Sequence, residues 1–239
     1  MQVINDLLGY NKLKIYQDTD MFNFSLDSVL LPNFITINKN VENILDIGTG
    51  NAPIPLILSS KTNAKITAIE IQKEVCELAK KSVELNNLQE QIKIIHGDIN
   101  ILKDELPINY FDIITCNPPF FEVKKESKLN QSDYKTIARH EITLNLNQIC
   151  NIAKRLLKND GILGIVHRPE RLTDILIAMR ENNIEPKKIR FVSPKTGENA
   201  NTVLVEGVLN GKKGLNVLST LISHNPNGDY TDEIKQYFE

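Results

Sequence analysis

The chain has no tryptophan, only 3 cysteines and only 11 glycines in 239 residues. No apolar run approaches the roughly 20 residues needed to span a bilayer, so no membrane partner is expected. Cys76, Cys116 and Cys150 lie far apart and form no C-x-x-C pair, which argues against a disulfide framework or a cysteine zinc site. No His/Cys/Asp spacing suggests any other metal site. The opening residues, M-Q-V-I-N-D-L-L-G-Y, show no basic segment followed by an apolar stretch and a small-residue cleavage site. The expectation is a metal-free cytoplasmic protein.

What is present suits a globular chain with a sizeable core: 41% hydrophobic and 24% charged residues. The net charge of −2 hides an asymmetry. Residues 1–120 hold 10 Lys+Arg against 15 Asp+Glu, residues 121–220 hold 17 against 11, and residues 221–239 hold 1 against 4. An acidic first half beside a basic second part permits a small-molecule site next to a polyanion surface. Solvated lysines on helix faces would give the same count.

Four short isoleucine-rich segments read as buried parallel strands: 43–48, 64–70, 92–98 and 111–117. Helical patterns fall between several of them, near 53–60 and 73–86, and the alternation continues with a helix near 144–158, a strand at 161–167 and a helix near 170–182. Strands near 187–193 and 202–209 follow one another with only the polar loop 194–201 between them, so they can pair antiparallel. The pattern predicts an α/β fold, a doubly wound and mostly parallel sheet. The expected organisation is an N-terminal extension packed on the core (1–42), one domain (43–220) and a C-terminal tail (221–239). In the extension, Ser25 or Asp27 is expected to cap a short helix buried through Val29, Leu30 and Leu31.

L-D-I-G-T-G-N-A-P begins in a strand and enters a helix. Gly48 and Gly50 let the backbone turn sharply and admit a ligand closely. A dinucleotide fingerprint would place a third glycine where Pro53 stands. Asp46, just before the loop, would repel a phosphate but suits a ligand with an ammonium group. Glu70 ends the second strand about 20 residues after the glycines, where an acid can accept from both ribose hydroxyls. Asp98 ends the third, where a carboxylate can accept from the exocyclic amine of adenine. Each acid alone is ordinary as a loop residue or helix cap. In this order, all at strand ends, Asp46, Gly48, Thr49, Gly50, Glu70 and Asp98 favour S-adenosylmethionine, a cationic adenosine without phosphates; Asn117, at the end of the fourth strand, is expected to touch the cofactor as well.

The fourth strand runs into N-P-P-F. An aromatic amine is a poor nucleophile because its lone pair is delocalised into the ring. Acceptors against both of its N–H bonds hold the nitrogen toward a tetrahedral geometry. The Asn117 side-chain oxygen and the Pro118 carbonyl suit that task, with Pro118 and Pro119 stiffening the turn. Phe120 can stack on a base rotated out of its strand or loop. Asn117 does not titrate, so no strong general base is needed. Asn-Pro alone is ordinary punctuation, as at Asn225-Pro226, and 27 asparagines make Asn common here. The full four-residue match at the end of a fourth strand is what favours chemistry.

On these residues the chain resembles the seven-stranded S-adenosylmethionine-dependent methyltransferases, in the amino-methylating group with [Asn/Asp]-Pro-Pro-[Tyr/Phe]. Further segments are similar to the tRNA1(Val) adenine-37 N6-methyltransferases: F-N-F-S-L-D-S-V-L-L (22–31), A-R-H-E (138–141), G-I-V-H-R-P-E-R-L (164–172), S-P-K-T-G-E-N-A-N-T-V-L-V-E (193–206) and G-K-K-G-L (211–215). The resemblance spans about residues 20–210. It implies strand order 3-2-1-4-5-7-6 with strand 7 antiparallel, a cofactor loop from Asp46, Gly48 and Gly50, and methylation of a flipped adenine in a tRNA anticodon loop. Lys124, Lys125, Lys128, Arg139, His140, Lys212 and Lys213 are candidate RNA contacts. Rival readings are a guanine-N2 methyltransferase of ribosomal RNA, a protein glutamine methyltransferase and a non-catalytic RNA-binding scaffold.

Overall fold

In the computed structural model, which describes residues 1–7, 10–18, 25–118 and 144–238, the isoleucine-rich runs become the middle of one sheet. The chain opens with an antiparallel hairpin, β1 (Gln2–Leu7) and β2 (Tyr10–Asp18). It continues through α1 (Asp27–Phe34), β3 (Asn43–Ile47), α2 (Pro53–Ser59), β4 (Lys65–Glu70) and α3 (Lys73–Leu85). Then come β5 (Ile92–His96), α4 (Ile99–Leu102) and β6 (Phe111–Cys116). Beyond the motif lie α5 (Leu146–Leu156), β7 (Leu157–His167), α6 (Leu172–Glu181), β8 (Ile184–Ser193) and β9 (Thr202–Leu209). Two short strands, β10 (Asn216–Val217) and β11 (Leu221–Ile222), and α7 (Asp232–Lys235) complete the described elements.

The sheet runs β5-β4-β3-β6-β7-β9-β8, and both β10 and β11 add in parallel to the outer side of β8. Only β9 is antiparallel to its neighbours in this order. This is the expected 3-2-1-4-5-7-6 arrangement, extended by two short edge pieces. Successive residues of a strand face opposite sides, so β3 feeds two cores. Ile44 packs with Val29 and Leu30 of α1, Ile57 of α2 and Val83 of α3. Leu45 and Ile47 pack with Ile149 and Ile152 of α5 and with Ile175 and Met179 of α6.

Scarce glycine has a local counterpart. A left-handed residue commonly follows a helix, and asparagine tolerates that conformation when glycine is not used. Asn87 (φ 56°) and Asn183 (φ 58°) stand one residue past the caps of α3 and α6. Part of the asparagine abundance is therefore chain geometry.

One sequence expectation gains detail and two change. The 1–42 segment holds the β1–β2 hairpin, clipped to α3 by Asn86, which accepts from Lys14 N and donates to Lys14 O. At α1 neither Ser25 nor Asp27 caps: the N-cap is Leu26, with no side-chain bond. Asp27 is instead occupied by the hydroxyls of Ser25 (2.9 Å) and Thr202 (3.0 Å). Residues 221–238 are built into the fold rather than trailing from it. Leu221 and Ile234 are fully buried, and Arg190 of β8 pairs with Glu233 and donates to Tyr237 Oη at 3.0 Å.

Candidate cofactor and acceptor site

Because β3, β4, β5 and β6 are parallel, their carboxyl ends open on one edge, where open α/β sheets bind ligands. The β3 end makes the tightest turn. Gly48 (φ 68°) and Gly50 (φ 59°) are left-handed, and a Cβ on either would meet no atom within 4 Å. The space above the loop is open to a ligand. The backbone N–H groups of Gly48 and Thr49 both donate to Ile69 O, fixing the loop to the end of β4. After Gly50 the chain passes through Ala52, also left-handed (φ 73°), into Pro53 at the first turn of α2. That is the path the missing third glycine takes. Asn51 turns inward and donates to Tyr16 O at 2.8 Å, so the N-terminal hairpin braces the loop from below.

Glu70, 3% exposed, knits this edge together. Its Oε2 accepts from Gly50 N and its Oε1 from Gln72 N, each at 2.9 Å. Each oxygen of a carboxylate has room for a second bond, so both could accept from a vicinal diol above the loop. Asp98 lies two residues past the end of β5 and caps α4, with Oδ1 accepting from Asn100 N at 2.8 Å and from Asn100 Nδ2 at 3.1 Å. Both bonds fall on one oxygen.

Asp46 is fully buried. Thr115 Oγ1, opposite it on β6, donates to Oδ1 at 2.6 Å. Asp46 Oδ2 and Thr49 Oγ1 are buried without a well-formed hydrogen bond among the described residues. Burial pushes the carboxyl up to about 7 and the charge of Glu70 adds to this, while the hydroxyls of Thr115 and Thr49 oppose it. Two neighbouring acids, one pushed up to about 7 by its burial, make a site that fits a cation. The residues thus fit a cationic, diol-bearing adenosine better than a phosphate.

Asn117 follows β6 directly, beside the glycine loop in the sheet order. It is half-buried and donates from Nδ2 to Ser28 Oγ at 3.2 Å; Pro118 is buried. Pro119, Phe120, Lys124, Lys125, Lys128, Arg139 and His140 lie outside the described residues. Lys212 and Lys213 are exposed, but antiparallel β9 delivers them to the opposite edge, away from Asn117. His167 is 3% exposed with Nδ1 accepting from Arg168 N at 2.8 Å, and burial and the nearby arginines lower it to about 4. It is therefore uncharged at neutral pH. Sequence reasoning passed over Ser28 and Thr115, both hydroxyls inside segments read as apolar. It also left Arg168 and Arg171, at the carboxyl end of β7, out of the candidate RNA contacts.

Comparison with known proteins agrees with this geometry. The profile of the family described as "Methyltransferase domain" matches residues 38–215. A tRNA1(Val) (adenine(37)-N6)-methyltransferase of Porphyromonas gingivalis is 31% identical over 71% of this chain and 68% of its own. The Flavobacterium psychrophilum protein of that name is 28% identical over 83% and 84%. Among solved structures, a predicted O-methyltransferase from Agrobacterium tumefaciens superposes with a TM-score of 0.70 at 20% identity, covering 89% of this chain and 95% of its own. A geranyl diphosphate C-methyltransferase from Streptomyces coelicolor, in complex with S-adenosyl-L-homocysteine, gives 0.56 at 11% over 76% of both chains. These two show the fold alone. With the open glycine loop, the paired acids and Asn117 gathered at one sheet edge, the chain belongs to the methyltransferase family, among the tRNA1(Val) (adenine(37)-N6)-methyltransferases.

Proposed function

We propose that the chain transfers the methyl group of S-adenosylmethionine to the exocyclic N6 amine of an adenosine in tRNA, adenosine 37 in the anticodon loop of tRNA1(Val). The observation that carries this reading is the place of Asn117 and Pro118, at the tip of β6 next to the β3 loop. Relatives of that name at 25–31% identity support the substrate. The cofactor, when bound, supplies an electrophilic sulfonium methyl.

The residues divide the work. Gly48, Thr49 and Gly50 leave room for close approach, and Glu70 accepts from the ribose hydroxyls. Asp98, through the oxygen not engaged with Asn100, accepts from the adenine amine of the cofactor. Asp46 faces the ammonium group across Thr49 or a water. Asn117 Oδ1 and the Pro118 carbonyl each accept one N–H of the target amine, turning its lone pair toward the methyl group. Both acceptors are neutral, so the amine loses its proton to solvent after transfer. Phe120 stacks on the extruded base, as unpaired loop bases permit. Arg168 and Arg171 on the same edge neutralise phosphates, along with Lys124, Lys125, Lys128, Arg139 and His140; Lys212 and Lys213 serve only a substrate that reaches the far edge. A tRNA substrate puts the enzyme in the cytoplasm. Among the described residues no helix is long and apolar enough to cross a membrane.

Nucleoside mass spectrometry of tRNA from cells with and without the gene tests the reaction, and N6-methyladenosine should vanish from tRNA1(Val) in the mutant. Loss of N2-methylguanosine in its place would overturn the assignment. Asn117→Ala should cut single-turnover methylation by roughly 10²-fold, the scale of one preorganised transition-state hydrogen bond, with the Kd for S-adenosylhomocysteine unchanged.

A further inference from the structure

We propose that Ser28, in the N-terminal segment ahead of the matched methyltransferase region, is the positioning residue that holds the Asn117 amide in its working orientation. The inference rests on the reading of Asn117 as an acceptor for the target amine. A primary amide has two chemically different ends, and only its oxygen can receive an amine hydrogen. Turned over, it would present two hydrogens to the hydrogens of the substrate. Something must therefore occupy the nitrogen end.

Ser28 does so. Its Oγ accepts from Asn117 Nδ2 at 3.2 Å, which leaves Oδ1 as the end available to a ligand. Ser28 is 5% exposed and lies in the first turn of α1, so its hydroxyl has a fixed place. That helix is buried nearly all round and immobilised at both ends. Ahead of Ser28, Asp27 Oδ1 accepts from Thr202 Oγ1 at 3.0 Å. Beyond the helix, Glu206 of β9 accepts from Thr36 N at 2.7 Å and from Thr36 Oγ1 at 3.0 Å. Along its length Leu31 and Ile35 close over Gly164 of β7, where a Cβ would come within 2.4 Å of Ile35 Cδ1. A hydroxyl on so constrained a helix anchors the amide's place on the neighbouring strand end; because it can accept from Nδ2 or donate to Oδ1, the working orientation is completed by the target amine, which needs Oδ1 as its acceptor. The same N-terminal segment reaches the cofactor loop through Tyr16 O and Asn51. Residues 1–37, outside the family profile, thus touch both halves of the cleft.

Ser28→Ala should lower the single-turnover rate on a tRNA anticodon stem-loop transcript by about tenfold, the upper range for one neutral hydrogen bond. Its Tm and its Kd for S-adenosylhomocysteine should match the parent. Ser28→Cys, close in size but a weak acceptor, should fold if the alanine variant does not, and should lose most of the same rate. The decisive readout is a double-mutant cycle. In an Asn117→Ala background, Ser28→Ala should cost nothing further, because there is no amide left to orient. Independent, multiplying losses would mean that Ser28 acts through packing and would overturn the proposal. A full rate in both Ser28 variants, with Asn117→Ala impaired, would also defeat it while sparing the catalytic reading. An unimpaired Asn117→Ala would instead remove the catalytic reading itself.

Discussion

At the scale of single residues, the least expected finding is the state of Asp46. A carboxyl pushed up to about 7 by burial binds a proton under conditions where an exposed aspartate is ionised. Binding a ligand with an ammonium group favours the carboxylate, so that proton should leave on binding. The sign follows from linkage. Below about pH 7 cofactor affinity should rise with pH, by up to about tenfold per unit for one proton released, and it should level off above. Calorimetric titration with S-adenosylhomocysteine at pH 5.5, 6.5 and 7.5, in buffers of different ionisation enthalpy, measures both the affinity and the proton. Asp46→Asn should bind more weakly at pH 7.5 and lose the slope. A parent whose Kd is flat across that range would remove Asp46 from the cofactor site.

At the scale of elements, legibility tracked the length of the repeating signal. The strands that became β3 to β6 were plain because each packs three or four apolar residues, isoleucine foremost, into a short run that ends at Gly, Glu or Asn, and their order carried the glycine loop, Glu70 and Asn117 to one edge. The β1–β2 hairpin was missed although Leu13, Ile15 and Gln17 alternate inward along β2; its outer strand is mostly exposed and shows no apolar alternation. The two-residue strands β10 and β11 are too short to have a period at all. The partner of Asn117 was illegible for another reason: Ser28 and Asn117 are 89 residues apart, and the packing of α1 on α2, β7 and β9 brings them together. That packing has a testable clasp. Glu206, 5% exposed, takes two bonds from Thr36 and pairs with Lys188 Nζ at 2.9 Å. Glu206→Ala leaves the Thr36 N–H without its acceptor and the largely buried Lys188 ammonium without its counter-charge, though still donating to Phe34 O and Thr36 Oγ1. It should cost about 3 kcal/mol, read as a Tm drop of about 6–10 °C. Glu206→Gln, which keeps an acceptor for Thr36, should lose less. Equal Tm values for the alanine variant and the parent would mean that α1 is held by apolar contacts alone.

At the scale of the whole molecule, two buried groups pull stability in opposite directions as pH changes. Asp46 titrates near 7 in the folded chain against 3.8 for an ordinary aspartate, so between those values the folded state binds more protons than the unfolded one. Its contribution therefore falls as pH rises through that window. His167 titrates near 4 when folded against 6.5 otherwise, so between those values the unfolded state binds more protons, and its contribution rises with pH. From about pH 4 to 6.5 the two slopes, each up to about 1.4 kcal/mol per unit, offset one another. The cofactor-free enzyme gains little from either. Removing one group should expose the other. In denaturant unfolding between pH 4.5 and 7.5, Asp46→Asn should become more stable than the parent by a margin that grows with pH and flattens above about 7. His167→Gln should show the converse, its stability relative to the parent improving as pH falls below 6.5. Titrating groups remote from the two sites cancel in these difference curves. Two variants running parallel to the parent across the range would mean that neither site titrates where its burial places it.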